Sequence, residues 1–136
     1  MPTTRCPCLS GQTYDQCCGR LHRGELLAPT AELLMRSRFS AYAVGDVDYL
    51  RWTWHSTTRP GDLELDMDVR WYRLDILDTS RGGIGGTEGT VTFRAWYRSD
   101  RGAGSQHEVS RFVREAGAWV YLDGAAEQGV ACRSDH

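Results

Sequence analysis

Four of the chain's five cysteines fall in its first eighteen residues, as Cys6-Pro7-Cys8 followed after eight residues by the adjacent pair Cys17-Cys18. Thiols packed this closely either bind a metal together or cross-link. A tetrahedral zinc takes four sulfur or nitrogen ligands, and Cys6, Cys8, Cys17 and Cys18 supply four. His22, four residues beyond Cys18, is a substitute ligand if the adjacent pair cannot both reach the metal. A disulfide, or a reduced tail without structure, is the competing reading. In a reducing compartment the metal is favoured. Saturation by four thiolates leaves no open position for a water, so the expected zinc is a single structural ion rather than a catalytic one.

A second chemical feature lies on the segment that follows. At about 100° per residue, Leu34, Met35, Phe39, Ala41 and Tyr42 form an apolar arc, with Arg36, Ser37 and Ser40 opposite. Arg38 falls inside the apolar arc. A cation there is costly unless it is paired and hydrogen-bonded. It is a snorkelling side chain, half of a buried ion pair, or an anion-binding group facing a cavity. Glu108, Asp123 and Asp75 are the carboxylates considered as its partners. Trp119, Tyr121 and Asp123 alternate along one strand, so a shared concave face would bring them to Arg38 and Tyr42 as a ligand pocket. Asp123 or His55 would then be the base of a catalytic site, with Arg38 and Tyr42 orienting a substrate. His55 alternatively caps a helix C-terminus. Arg94, Trp96 and Arg98 interleave on a strand face, which reads as solvated rather than as a nucleic-acid surface.

Composition limits the rest. The chain has 136 residues, 16 basic residues that are all arginine, 18 acidic ones and a net charge of -2. Without lysine there is no Schiff-base chemistry and no P-loop. The charge gives no reason to expect nucleic acid, and no apolar run is long enough for a bilayer. Residues 1–20 lack the pattern of a signal peptide. These features point to the cytoplasm.

The elements that must position these groups are readable. Thr30 caps a helix with Glu32 in its first turn and an i,i+4 pair to Arg36. That helix ends near Val44-Gly45, and Asp46 caps a second, shorter one through Trp54. From residue 69 the period becomes two, giving strands at 69–77, 90–98, 107–114 and 119–123, with turns at 81–86, 102–104 and 116–117. The tail from Gly124 is expected to be poorly ordered. Helices followed by a meander make an α+β fold, with helices packed on one face of a curved antiparallel sheet.

Residues Cys6 to Gly19 resemble a SEC-C motif, the zinc knuckle at the C-terminus of the SecA translocation motor. The stretches Leu34 to Tyr42, Asp48-Tyr49-Leu50, Thr53-Trp54-His55, Ser110-Arg111-Phe112 and Trp119 to Gly124 follow in order. Together they resemble the bacterial YchJ family over nearly the whole chain. The resemblance implies a knuckle at 1–24 and, at 25–136, a domain similar to nuclear transport factor 2, which is a cone of curved sheet wrapped on helices. Two departures stand out: Leu9 replaces the usual glycine of the motif, and the second C-terminal knuckle of many relatives is reduced here to Cys132 and His136. Cys132 reads as an unpaired tail thiol.

Folds of this type serve both enzymes and binding modules. The closed four-thiolate site and the absence of a recognisable catalytic dyad at fixed spacing favour a non-enzymatic binding or protein-interaction module. A lyase, isomerase or hydrolase with its site in the cone is the alternative. The expected partners are a protein docking on the knuckle and a small molecule in the cone, with the chain a monomer or homodimer. Loss of Cys6 or Cys17 is expected to unfold the knuckle and leave the cone intact on its own core.

Overall fold

The computed structural model describes residues 6, 12–63, 65 and 68–126. A 3-10 turn at Tyr14–Gln16 leads into α1 (Cys18–His22), then α2 (Ala31–Val44) and α3 (Val47–Trp52). Four strands follow: β1 (Arg70–Arg81), β2 (Glu88–Ser99), β3 (Gly102–Glu115) and β4 (Ala118–Ala126). They form one antiparallel sheet in the order β1-β2-β3-β4. The α+β cone expected from the sequence is the fold observed.

Local chemistry explains the helices. Thr30 accepts from the Leu33 amide at 3.1 Å, and Arg36 reaches Glu32 at 3.1 Å. Gly45 closes α2 in a left-handed conformation with its amide on the Ala41 carbonyl. Asp46 then caps α3 through the Tyr49 amide at 3.0 Å. α3 stops at Trp52, two residues before the sequence suggests, because residues 53–55 join the sheet edge instead. The Tyr121 amide donates to the Thr53 carbonyl and the His55 amide to the Tyr121 carbonyl, each at 2.8 Å. Trp54 is thereby bridged in parallel to Tyr121 on β4.

The sheet curves because three residues are extra to their ladders. Tyr72 and Leu77 interrupt the β1–β2 register, and Leu122 interrupts β3–β4. Bulges of this kind bend the strand and strengthen its twist. The strands also run longer than their periodicity suggests. The second hairpin turns at Asp100-Arg101, so residues 102–104 belong to β3. Gly104 sits opposite Tyr97, whose ring occupies the place of a side chain there. β4 continues through Ala126, past the expected start of a loose tail.

The core lies between α2 and the concave sheet face. Leu34, Phe39, Leu50, Val91, Phe112 and Trp119 are all essentially buried there. α2 is enclosed on both sides. Ser37 and Ser40, on the arc opposite the apolar one, are fully buried rather than solvated, because the knuckle covers them. Ser40 Oγ lies 3.5 Å from Cys6 Sγ, and Leu21 of α1 belongs to the main core.

Candidate functional site

Two sites emerge, one on each side of α2. At the knuckle, the sulfurs of Cys6, Cys17 and Cys18 all lie within 4.8 Å of one another, with Cys17 and Cys18 Sγ 4.0 Å apart. Zinc–thiolate bonds of about 2.3 Å put tetrahedral sulfurs roughly 3.8 Å apart, so this donor set fits a metal ion. Cys8, the fourth expected ligand, lies outside the described residues, as do Cys132 and His136. His22 is not a ligand in this arrangement. Its Nε2 lies 2.8 Å from the Ser37 carbonyl and must donate to it, which leaves Nδ1 to accept from the Tyr14 hydroxyl at 2.5 Å. Both ring nitrogens are thus occupied. Burial, with the nearby Asp46 carboxylate, pushes the Tyr14 phenol up to about 12.

Across α2, a cavity of about 170 Å³ opens between the helix and β3. Its apolar wall is made by Met35, Phe39, Trp54, Trp71, Phe93 and Ala95. Its polar groups are Arg38 and Tyr42 from α2, Gln106, Glu108 and Ser110 from β3, and Tyr121 from β4.

Arg38 is only 3% exposed. Its Nη1 donates to the Leu50 carbonyl at 2.9 Å, the Thr53 carbonyl at 3.2 Å and Thr53 Oγ1 at 2.8 Å. The two carbonyls lie at the C-terminal end of α3, where a cation also meets the negative end of the helix dipole. The guanidinium carbon sits 5.0 Å from the Trp54 ring centre and 4.7 Å from that of Tyr121. Burial lowers its basicity, and the Tyr42 hydroxyl opposes that effect. None of Glu108, Asp123 and Asp75 makes an ion pair with it at or below 4.0 Å. Backbone carbonyls and aromatic faces hold this cation, in place of the buried ion pair considered from the sequence.

Glu108 faces Arg38 across the cavity. Oε1 accepts from Gln106 Nε2 at 2.9 Å, and Oε2 accepts from Ser110 Oγ at 3.1 Å and the Tyr121 hydroxyl at 3.5 Å. Gly124 lies opposite Ser110 on β4, and a Cβ built there would come within 1.9 Å of Glu108 Oε2. The glycine leaves room for the carboxylate. Burial, followed by the Glu108 charge, pushes the Tyr121 phenol well above its ordinary value.

Of the five residues expected in the pocket, the structure brings Arg38, Tyr42 and Tyr121 together. Trp119 and Asp123 lie elsewhere, for different reasons. Trp119 shares the concave face but lies outside this cavity, where its indole donates to the Pro29 carbonyl and Arg114 stacks on it. Asp123 is turned outward by the extra residue Leu122, which breaks the alternation after Tyr121. There it makes a two-pronged pair with Arg111, which holds its carboxyl below the usual range. His55 is also outside the cavity. Its Nδ1 meets Thr57 Oγ1 at 2.8 Å, and its Nε2 is 3.9 Å from Glu115. Gln106 and Ser110 have no place in the sequence reading of the pocket, and Glu108 enters it only as a candidate ion-pair partner of Arg38. Their common parity with Phe112, a core position on the same strand, carries the information that they face inward.

Comparison with known proteins agrees with this architecture. The family model described as "YchJ, middle NTF2-like domain" matches residues 30–124, and the SEC-C motif model matches residues 3–20. The UPF0225 protein SCO1677 of Streptomyces coelicolor is 56% identical over 91% of this chain and 97% of its own length. A UPF0225 protein of Corynebacterium glutamicum, Cgl1438/cg1626, is 54% identical over 88% and 95% respectively. Among solved structures, the SEC-C motif containing protein RPA3114 from Rhodopseudomonas palustris superposes with a TM-score of 0.77 at 35% identity, covering 90% of this chain and 98% of its own. With one family model spanning most of its length and relatives this similar end to end, the chain belongs to the YchJ family, which joins a SEC-C motif to an NTF2-like domain.

Proposed function

We propose that this protein is a non-enzymatic binding module whose cone takes up a compact polar ligand. The observation that carries the reading is an open cavity onto which a buried guanidinium fronts without a carboxylate partner among the described residues. A pocket with an aromatic wall and a few convergent polar groups is the usual form of a small-molecule site, and its volume suits a ligand smaller than a drug. The catalytic alternative is weakened because Asp123 and His55, the bases it needed, both lie outside the cavity. Glu108 is the carboxylate that remains there, and it is already engaged by Gln106, Ser110 and Tyr121.

The five tryptophans provide the test. Trp54 and Trp71 line the cavity, whereas Trp52, Trp96 and Trp119 do not. A set of small neutral and charged fragments, added to labelled protein, is expected to move the indole N–H resonances of Trp54 and Trp71. The other three should stay still. Fragments that move no indole, or only Trp52 or Trp96, would refute the reading.

At the knuckle the same proposal places one structural zinc on Cys6, Cys17 and Cys18, with Cys8 as the fourth ligand, in the reducing cytoplasm. A closed thiolate site would supply folding energy rather than chemistry. Elemental analysis of the purified protein should return one zinc per chain. A folded, metal-free protein with unmodified thiols would end that assignment.

A further inference from the structure

Resting on the binding role of the cone, we infer that its ligand is dipolar, a compact amino-carboxylate such as an α-amino acid with an apolar side chain. The cavity carries one fixed cation and one fixed anion on opposite walls. Arg38 lies on α2, Glu108 lies on β3, and Tyr121 connects them, with its ring face against the guanidinium and its hydroxyl toward the carboxylate. They make no direct ion pair within 4.0 Å, so neither charge neutralises the other by contact.

Charge accounting selects the ligand. A simple carboxylate would satisfy Arg38 but add a second anion beside Glu108, and a simple amine would add a second cation beside Arg38. In a partly desolvated space either excess is unfavourable, because charges interact more strongly there than in water. A ligand with one charge of each sign leaves the cavity neutral and pairs both walls. Donor and acceptor counts agree. The three Arg38 bonds described all leave from Nη1, so Nε and Nη2 retain N–H groups beyond the contact with Tyr42. On Glu108, Oε1 accepts one bond, from Gln106, and has a lone pair left for an ammonium. Between the two, Trp54, Trp71 and Phe39 offer an apolar surface for a side chain.

The test compares L-leucine and L-phenylalanine with their deaminated analogues, 4-methylpentanoate and 3-phenylpropionate, and their decarboxylated ones, isoamylamine and 2-phenylethylamine. Binding to the intact chain is read from the Trp54 and Trp71 indole resonances. The amino acids are expected to bind at least about tenfold more tightly than either analogue, the scale of one lost charge-assisted hydrogen bond. In E108Q the advantage over the deaminated acid should collapse, while the exposed-site control E88Q keeps it. If the deaminated acid binds as well as the amino acid and moves the same indoles, the dipolar assignment is wrong and the cone still binds ligands. If all six compounds leave Trp54 and Trp71 unmoved, the dipolar assignment also fails. The binding role is then judged on the wider fragment set alone.

Discussion

Arg38 shows how a residue that looks functional from its sequence position can also be structural. Its Nη1 donates to carbonyls that end α3, and both belong to buried residues. Replacing it with methionine keeps the volume but leaves the buried Leu50 carbonyl with only a long contact from Thr53 Oγ1 at 3.4 Å, while the Thr53 carbonyl keeps the Tyr121 amide. A buried acceptor left poorly satisfied costs about 1–3 kcal/mol, so R38M should lose roughly that much in urea unfolding. R38K retains a donor and should lose less. A neutral effect of R38M would mean that α3 is held by other contacts. Gly124 makes the complementary case. A methyl group there collides with the Glu108 carboxylate, so G124A should displace it and abolish ligand-induced shifts at Trp54 and Trp71. Its far-UV circular dichroism should be unchanged, since β4 tolerates alanine.

At the scale of elements, α3 and the bulged strands separate what the sequence shows from what it conceals. Capping residues and period-two alternation are local, so Thr30, Asp46 and the β2 face of Val91, Phe93 and Ala95 were all readable. The cone itself followed from element order and from the family resemblance. The Asp123 placement was not readable, because it depends on one extra residue at Leu122 that has no signature of its own. Trp54 was read as helical because its recruitment to β4 depends on a partner more than sixty residues away. The buried state of Ser37 and Ser40 was equally hidden, since their polar arc looks solvated until the knuckle is folded onto it. Tyr49 of α3 sits in that seam, with its hydroxyl 2.8 Å from Ser37 Oγ. Burial pushes this phenol up to about 12. The folded state therefore holds the proton more tightly than the unfolded chain does. The resulting stability is intact below the ordinary phenol value near 10 and is lost as pH rises from there toward 12. Y49F should start less stable at neutral pH, having lost a buried hydrogen bond, but should show a flatter alkaline limb in pH-dependent unfolding. A slope equal to that of the unmodified protein would show that Tyr49 does not titrate on unfolding.

For the whole molecule, the question is whether knuckle and cone are separable. The cysteine cluster and the cavity lie on opposite sides of the same helix, and several contacts cross the seam. Leu21 enters the main core, His22 Nε2 donates to the Ser37 carbonyl, and the His22 ring packs on Tyr49 with centres 4.5 Å apart. Losing the knuckle would expose Leu21 and strip cover from Ser37 and Ser40. The cone therefore should not keep its full stability when the cysteines are removed, contrary to the division drawn from sequence. L21A tests this without touching any thiol. Large-to-small substitution of a buried leucine costs about 2–5 kcal/mol, most of it from lost packing and the cavity left behind. If the two parts form one cooperative unit, the Trp119 indole buried in the main core and the Tyr14 amide in the knuckle should disappear at the same urea concentration. L21A should lower both midpoints together. A cooperative unit is also what would let a metal at the knuckle steady α2, and with it the wall that carries Arg38. Should the Tyr14 signal vanish first while Trp119 holds its midpoint, the knuckle is an appendage, and Arg38 is positioned by α3 and the sheet alone.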